Sequence, residues 1–239
     1  MKKKTKILWS MALGAAFVLL CGGIVLFGIL MPRWEAEEQL QQASREYYNN
    51  KLLLYYAENL DYEDYEIDVA FLGDSLTEGC DLEKYYPRYK TANRGIGGEN
   101  TFGLEKRLKV SAYDLKPKVA VMLIGANNLE TMFTNYESIL KGLQTNLPDT
   151  KVILVSLTPM GEQWGRHNSL AAYNNVKIQL LAEQYGFAYV DVFSLLLDEA
   201  TDEIRKEYTV EGLHLTDKGY EVLAKAITPA IDAALAETD

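Results

Sequence analysis

Short apolar runs rich in β-branched residues recur through the second two-thirds of the chain, each followed by a stretch of helical spacing. The runs Ile67–Leu72, Val119–Ile124, Lys151–Leu157 and Phe187–Val190 predict strands, with a weaker one near Lys90–Asn93. Around Thr101–Val110, Asn135–Asn146, Ser169–Tyr185 and Asp217–Ala234 apolar residues return at helical spacing. Strands alternating with helices predict an α/β fold, a parallel sheet covered on both faces. Ligands of such sheets bind beyond the carboxyl ends of the strands. The segments to inspect are therefore Gly73–Gly79, Gly95–Thr101, Gly125–Asn128, Thr158–His167 and the region of His214.

The N-terminal pattern differs. Residues 7–31 hold no charged side chain, and at a rise of about 1.5 Å per residue a helix of that length spans a hydrocarbon layer of roughly 30 Å. A cleaved signal peptide would have a shorter apolar core ending in a small-x-small site, whereas this run ends Gly-Ile-Leu-Met-Pro-Arg-Trp. Lipoprotein processing at Cys21 would want a small residue where Leu20 stands. The pattern predicts an uncleaved signal anchor. Residues 1–6 form a basic cytoplasmic tail, 7–31 a transmembrane helix, 32–63 a juxtamembrane helical stalk and 64–239 the functional body. Lys2, Lys3, Lys4 and Lys6 stay inside by the positive-inside rule, and Trp34 reaches the far interface. The body is then expected outside the cell, with the bilayer as partner of the N-terminal helix. The cluster Leu52–Tyr56 is expected to dock the end of the stalk on the body.

Charge and composition narrow the function. The net charge is −10 although the first 32 residues carry four lysines and no acid, so the body is acidic and a nucleic-acid partner is excluded. Two cysteines, Cys21 and Cys80, build neither a disulfide framework nor a four-ligand zinc site. Only His167 and His214 can supply imidazole.

After the first strand comes Gly73-Asp74-Ser75-Leu76-Thr77-Glu78-Gly79. A serine at a strand-to-helix turn meets the positive end of a helix dipole. Ser75 and Glu78 equally fit a capping box, in which the serine merely caps its helix. The segment is not the G-x-S-x-G elbow of α/β-hydrolases. Further on, Glu211-Gly212-Leu213-His214-Leu215-Thr216 places a histidine just before a helix that Thr216 would cap, with an acid three residues earlier to orient it. The glycines of Asn93–Thr101 would free backbone N–H groups, and Asn127 in Gly125-Ala126-Asn127-Asn128 has an amide to donate to an oxyanion.

The order Gly-Asp-Ser-Leu, then Gly98, then Gly-x-Asn, then x-x-His before the last helix resembles the SGNH (GDSL-type) esterase and acylhydrolase family, over roughly Asp68 to Ala234. The resemblance implies a flavodoxin-like three-layer α/β/α sandwich on a five-stranded parallel sheet, with no metal or organic cofactor. It implies Ser75 as nucleophile, His214 as base, and the N–H groups of Ser75 and Gly98 with the Asn127 side chain as oxyanion hole. Two positions depart from the family pattern. Glu211 stands where aspartate is usual, and Asn128 ends a motif that usually ends in aspartate. Glutamate can orient the base if the loop yields about one methylene of reach.

The expected activity is hydrolysis of short acyl esters, acetyl foremost and carbohydrate-borne in one reading, by a membrane-anchored serine esterase. Acyl transfer to another acceptor would use the same residues. Asp74, Asn128, Trp164 and Arg166 are candidate substrate contacts. A lysophospholipase-type lipid acylhydrolase and a non-catalytic surface binding protein on the same fold are the alternatives. Cys80 reads as a buried apolar residue and Asp191 as a loop pin. Tyrosines such as Tyr55 and Tyr85 read as packing surface.

Overall fold

The computed structural model describes Gly28 and residues 31–237. The expected transmembrane anchor lies outside the described residues apart from Gly28 and Met31. Among the described residues no helix is long and apolar enough to cross a membrane. The chain divides into two units, residues 1–50 and 51–239. A helix, α1, runs from Met31 to Asn59, as the absence of glycine and the single early proline in that stretch allow. Of the expected docking cluster only Tyr55 is buried, while Leu53, Leu54 and Tyr56 are exposed. Five consecutive residues of a helix point in all directions, so one face claims one aromatic.

The second unit is built on a parallel sheet of β1 (Val69–Gly73), β2 (Thr91–Gly95), β3 (Val119–Leu123), β4 (Lys151–Val155) and β5 (Ala188–Val190). The strands lie in the order β2-β1-β3-β4-β5, all paired in parallel. That order is the flavodoxin-like doubly wound one. Every residue of β1 and β3 is buried, because both faces are covered.

Alternation along the strands sorts the core into layers. Leu72, Ala120, Met122 and Leu154 face α4 (Thr101–Leu108), α5 (Tyr136–Asn146) and α6 (Asn168–Tyr185); the numbering leaves α2 and α3 for two single-turn helices, Ser75–Glu78 and Leu82–Tyr85. Val69, Phe71, Val121 and Ile153 face the other way, onto α2, α3 and α8 (Asp217–Ala236), with α7 (Phe193–Leu196) completing the helices. Leu223, Ile227 and Ile231 carry α8 onto the sheet, each contributing about 1.5–3 kcal/mol by burial. A two-stranded hairpin of β6 (Leu197–Asp198) and β7 (Glu203–Ile204) and an isolated antiparallel bridge between Thr209 and Leu215 are pairings the sequence pattern does not predict.

Candidate active site

Strand β1 ends in Gly73, where a Cβ would strike the Thr77 side chain and the Leu123 carbonyl, so the chain can turn sharply into α2 only with glycine there. Asp74, not Ser75, caps α2: its Oδ1 accepts the Leu76 N–H at 3.0 Å. Ser75 is the first helical residue and its hydroxyl is left for other work. Its N–H is among those with no intrahelical acceptor. Glu78 does not complete a capping box either. Its Oε2 instead accepts the Gly97 N–H at 2.8 Å.

His214 reaches Ser75 from the loop before α8, with Nε2 3.1 Å from Oγ. Its Nδ1 bonds Glu211 Oε1 closely, and the same oxygen accepts the His214 backbone N–H at 3.2 Å. With a carboxylate at Nδ1, that nitrogen carries the proton and Nε2 is left to accept from the serine hydroxyl. The extra methylene of glutamate is accommodated by Gly212, whose φ of +87° turns the loop and whose carbonyl accepts the Gly161 N–H at 2.7 Å. The His214 carbonyl accepts from Thr209 Oγ1 and the Val210 N–H, both at 2.9 Å. Thr216 caps α8, as expected, accepting the Gly219 N–H. The Tyr220 hydroxyl, one turn into α8, donates to the Leu76 carbonyl of α2 at 3.0 Å, so the helices following the serine and the histidine are clipped together.

The loop after β2 lies beside this pair. Gly98 has a φ of +72° with nothing within 4 Å of an added Cβ, so conformation rather than space requires glycine there. Among the described residues its N–H donates to no protein acceptor. Asn127, on the 3₁₀ turn Ala126–Asn128 after β3, donates one amide hydrogen to the Glu99 carbonyl at 2.8 Å, and its second amide hydrogen remains available. Asn128 gives its amide to Thr101 Oγ1 at 2.9 Å and takes the Thr101 N–H at 3.4 Å. It ties two loops together, a pattern that needs donor and acceptor on one side chain.

Of the four expected substrate contacts, two line a pocket of about 460 Å³: Asn128 and Trp164, together with Ala126, Asn127, Met160 and Leu213. Arg166 stands outside that lining, exposed, and donates from Nε to His167 Nε2 at 3.2 Å. Asp74 cannot touch a substrate. It is 1% exposed beneath the serine, and its Oδ2 has no partner. Burial, helped by the negative charge of Glu99, pushes its carboxyl up to about 7, against the Leu76 hydrogen bond and the pull of His214. Cys80, expected to be buried, is only half-buried, yet partial desolvation and the nearby Asp81 charge raise its thiol to about 12, in keeping with an inert side chain. Asp191 accepts the Ser194 N–H at 3.2 Å and pins the start of α7.

One element went unread in the sequence. Arg107, fully enclosed, donates from Nε to Glu99 Oε2 at 2.7 Å, from Nη1 to the Arg94 carbonyl and Ser111 Oγ at 2.8 Å, and from Nη2 to the Gly73 carbonyl at 3.0 Å. One guanidinium thus holds the ends of β1 and β2 and the Gly98–Glu99 loop. Burial raises the Glu99 carboxyl and the Arg107 charge opposes that rise. The only trace in the sequence is a charged residue at helical spacing between Leu104 and Ser111, both buried.

Known proteins resemble this chain. Human platelet-activating factor acetylhydrolase IB subunit alpha2 is 30% identical over 201 residues, covering 75% of this chain and 82% of its own length. Human isoamyl acetate-hydrolyzing esterase 1 homolog is 28% identical over 195 residues, covering 68% and 73%. A solved structure described as a platelet activating factor protein from Streptococcus pneumonia superposes with a TM-score of 0.74 at 26% identity, covering 82% of this chain and 98% of that one. The sequence profile of the GDSL-like lipase/acylhydrolase family matches residues 71–222. On that match, and on a sheet that delivers a serine, a histidine and an acid to one point, the chain belongs to the GDSL-like lipase/acylhydrolase family of SGNH hydrolases, enzymes that cleave ester bonds.

Proposed function

We propose that this acylhydrolase removes short acyl groups, acetyl foremost, through an acyl-serine on Ser75. The observation that carries the reading is the 3.1 Å approach of His214 Nε2 to Ser75 Oγ, with Glu211 on the far ring nitrogen. His214 Nε2 takes the hydroxyl proton as Oγ bonds the ester carbonyl carbon. The carbonyl π electrons move to oxygen, and that oxyanion meets the N–H groups of Ser75 and Gly98 and the second amide hydrogen of Asn127. Collapse breaks the carbon–oxygen bond to the alcohol, which leaves with the proton from His214. Water then gives a proton to His214 and attacks the acyl-serine, releasing the acid and restoring the hydroxyl. Glu211 holds the ring and offsets the imidazolium charge in both halves.

Acetyl is favoured because the names of both relatives specify an acetyl ester or acetyl removal. A pocket half walled by Ala126, Leu129, Met160, Trp164 and Leu213 suits an apolar group of modest size. The alcohol portion, carbohydrate or lipid, is open to the same chemistry. Residues 7–31 would hold the enzyme in the membrane, with the body outside the cell. That topology rests on the uncharged run and its lysine flank.

Hydrolysis of p-nitrophenyl acetate by the full chain, beside Ser75→Ala, tests the reading. The variant should fall by about 10³-fold or more. A folded variant as active as an active wild type would remove Ser75 from the reaction, and a wild type as slow as the folded variant would favour the non-catalytic alternative. An acyl-chain series separates acetyl from long-chain esters.

A further inference from the structure

The oxyanion loop has little to stiffen it from within. Residues 97 and 98 are both glycine, and Gly98 is exposed at positive φ. Arg107 and Asn127 hold the loop at Glu99, and further support comes from outside the segment matched by the family, from the last turns of α1. Lys51 Nζ bonds Glu78 Oε1 at 2.5 Å, and the other oxygen of that carboxylate takes the Gly97 N–H at 2.8 Å. One turn further on, the Tyr55 hydroxyl donates to the Gly95 carbonyl at 2.5 Å. At the end of the helix Glu58 pairs with Arg94, while Asn59 Oδ1 accepts from Arg94 Nη2 at 3.0 Å. Arg94 is fully buried, with its guanidinium 4.7 Å from the centre of the Tyr55 ring.

These contacts grip the loop at Gly95 and Gly97, one on each side of Ile96 and immediately ahead of Gly98. We infer that residues 51–59 of α1 act as a strut that positions the oxyanion loop, with Lys51 as the positioning residue acting through Glu78 on the Gly97 N–H. The inference rests on the reading of Gly98 as an oxyanion donor. Lys51 and Glu78 are each about one-quarter exposed, at 26% and 25%. A carboxylate in that setting keeps its inward pose while both oxygens are engaged. Without the ammonium, turning Glu78 toward water recovers solvation and withdraws its bond from the Gly97 N–H. With that bond gone the loop holds its N–H direction less firmly, which costs transition-state stabilisation rather than ground-state binding.

The test is a kcat and KM comparison of the full chain with Lys51→Met, Lys51→Arg, Glu78→Gln and the Met/Gln double variant on p-nitrophenyl acetate. Lys141→Met, which breaks only an exposed pair with Glu137 on α5, is the control and should leave both constants unchanged. Lys51→Met should lower kcat about tenfold with KM within about twofold, since sub-ångström misplacement of a catalytic donor has effects of that order. Lys51→Arg should restore kcat, and the double variant should fall no further than Glu78→Gln alone. A wild-type kcat in Lys51→Met, a loss that arginine does not rescue, or additive losses in the double variant would each overturn the strut. If Ser75→Ala itself kept full activity, the esterase reading would fall first and take this inference with it, whereas a dead Ser75→Ala beside an unchanged Lys51→Met sinks the strut alone.

Discussion

Replacing Asp74 with asparagine should make the protein more stable in alkaline solution and leave it unchanged in acid. Asp74 is 1% exposed, spends one oxygen on the Leu76 N–H and has no partner for the other. Its carboxyl lies at about 7 in the folded chain against an ordinary 3.8. The folded state therefore binds a proton that the unfolded state has released between about pH 4 and 7, and stability falls as pH rises through that window. At about 1.36 kcal/mol per pH unit the loss above pH 7 has a ceiling of about 4 kcal/mol. Asparagine keeps the carbonyl that caps α2, cannot ionise, and removes the repulsion from the Glu99 charge. Unfolding of the full chain and of Asp74→Asn in urea, at intervals from pH 4 to pH 9, measures the difference. The two curves should coincide near pH 4 and separate by about 2–4 kcal/mol in favour of the variant by pH 8. Parallel curves across the whole range would refute the assignment of a costly buried carboxylate.

The other predictions concern the site itself. Glu211→Gln keeps the size of the side chain but removes the charge and the tautomer preference at His214 Nδ1, and should lower kcat by about 10²–10⁴-fold; Glu211→Asp, one methylene shorter, should fall less. Both are read from p-nitrophenyl acetate turnover. Gly98→Ala meets no steric obstacle but puts a side chain at positive φ, a strain of about 1 kcal/mol, so kcat should drop while the melting temperature shifts by only a few degrees. Arg107→Met strips Glu99 of its buried partner and should destabilise by about 3–5 kcal/mol, measurable as a lowered urea midpoint.

Much of this fold is legible before any coordinate. The runs at Val119 and Lys151 begin where β3 and β4 begin, because a strand covered on both faces must be apolar throughout. Thr216 marks the start of α8 because a threonine ahead of an amphipathic run has one common use. The site was less legible where two residues compete for one role. Asp74 and Ser75 are both cap formers, and only the turn forced by Gly73 decides that the aspartate caps and the serine is spared. Glu78 fits a capping box in sequence but reaches 19 residues ahead to Gly97. The Arg107 network joins residues 8, 13 and 34 positions apart, and no periodicity encodes such pairings. The β6–β7 hairpin has strands of two residues each, too short to show an alternation.

The clip from Tyr220 to Leu76 has a consequence for how the enzyme comes into being. Ser75 and His214 stand 139 residues apart, and the contact that joins their helices belongs to the last helix described. A chain emerging from the ribosome can complete β1 through β5 and still hold a serine with no base beside it. Reactivity is thus withheld until the sheet has received its final cover. An acyl-serine probe applied during synthesis would count finished molecules and ignore every shorter one, and catalytic onset would serve as a clock for the docking of α8.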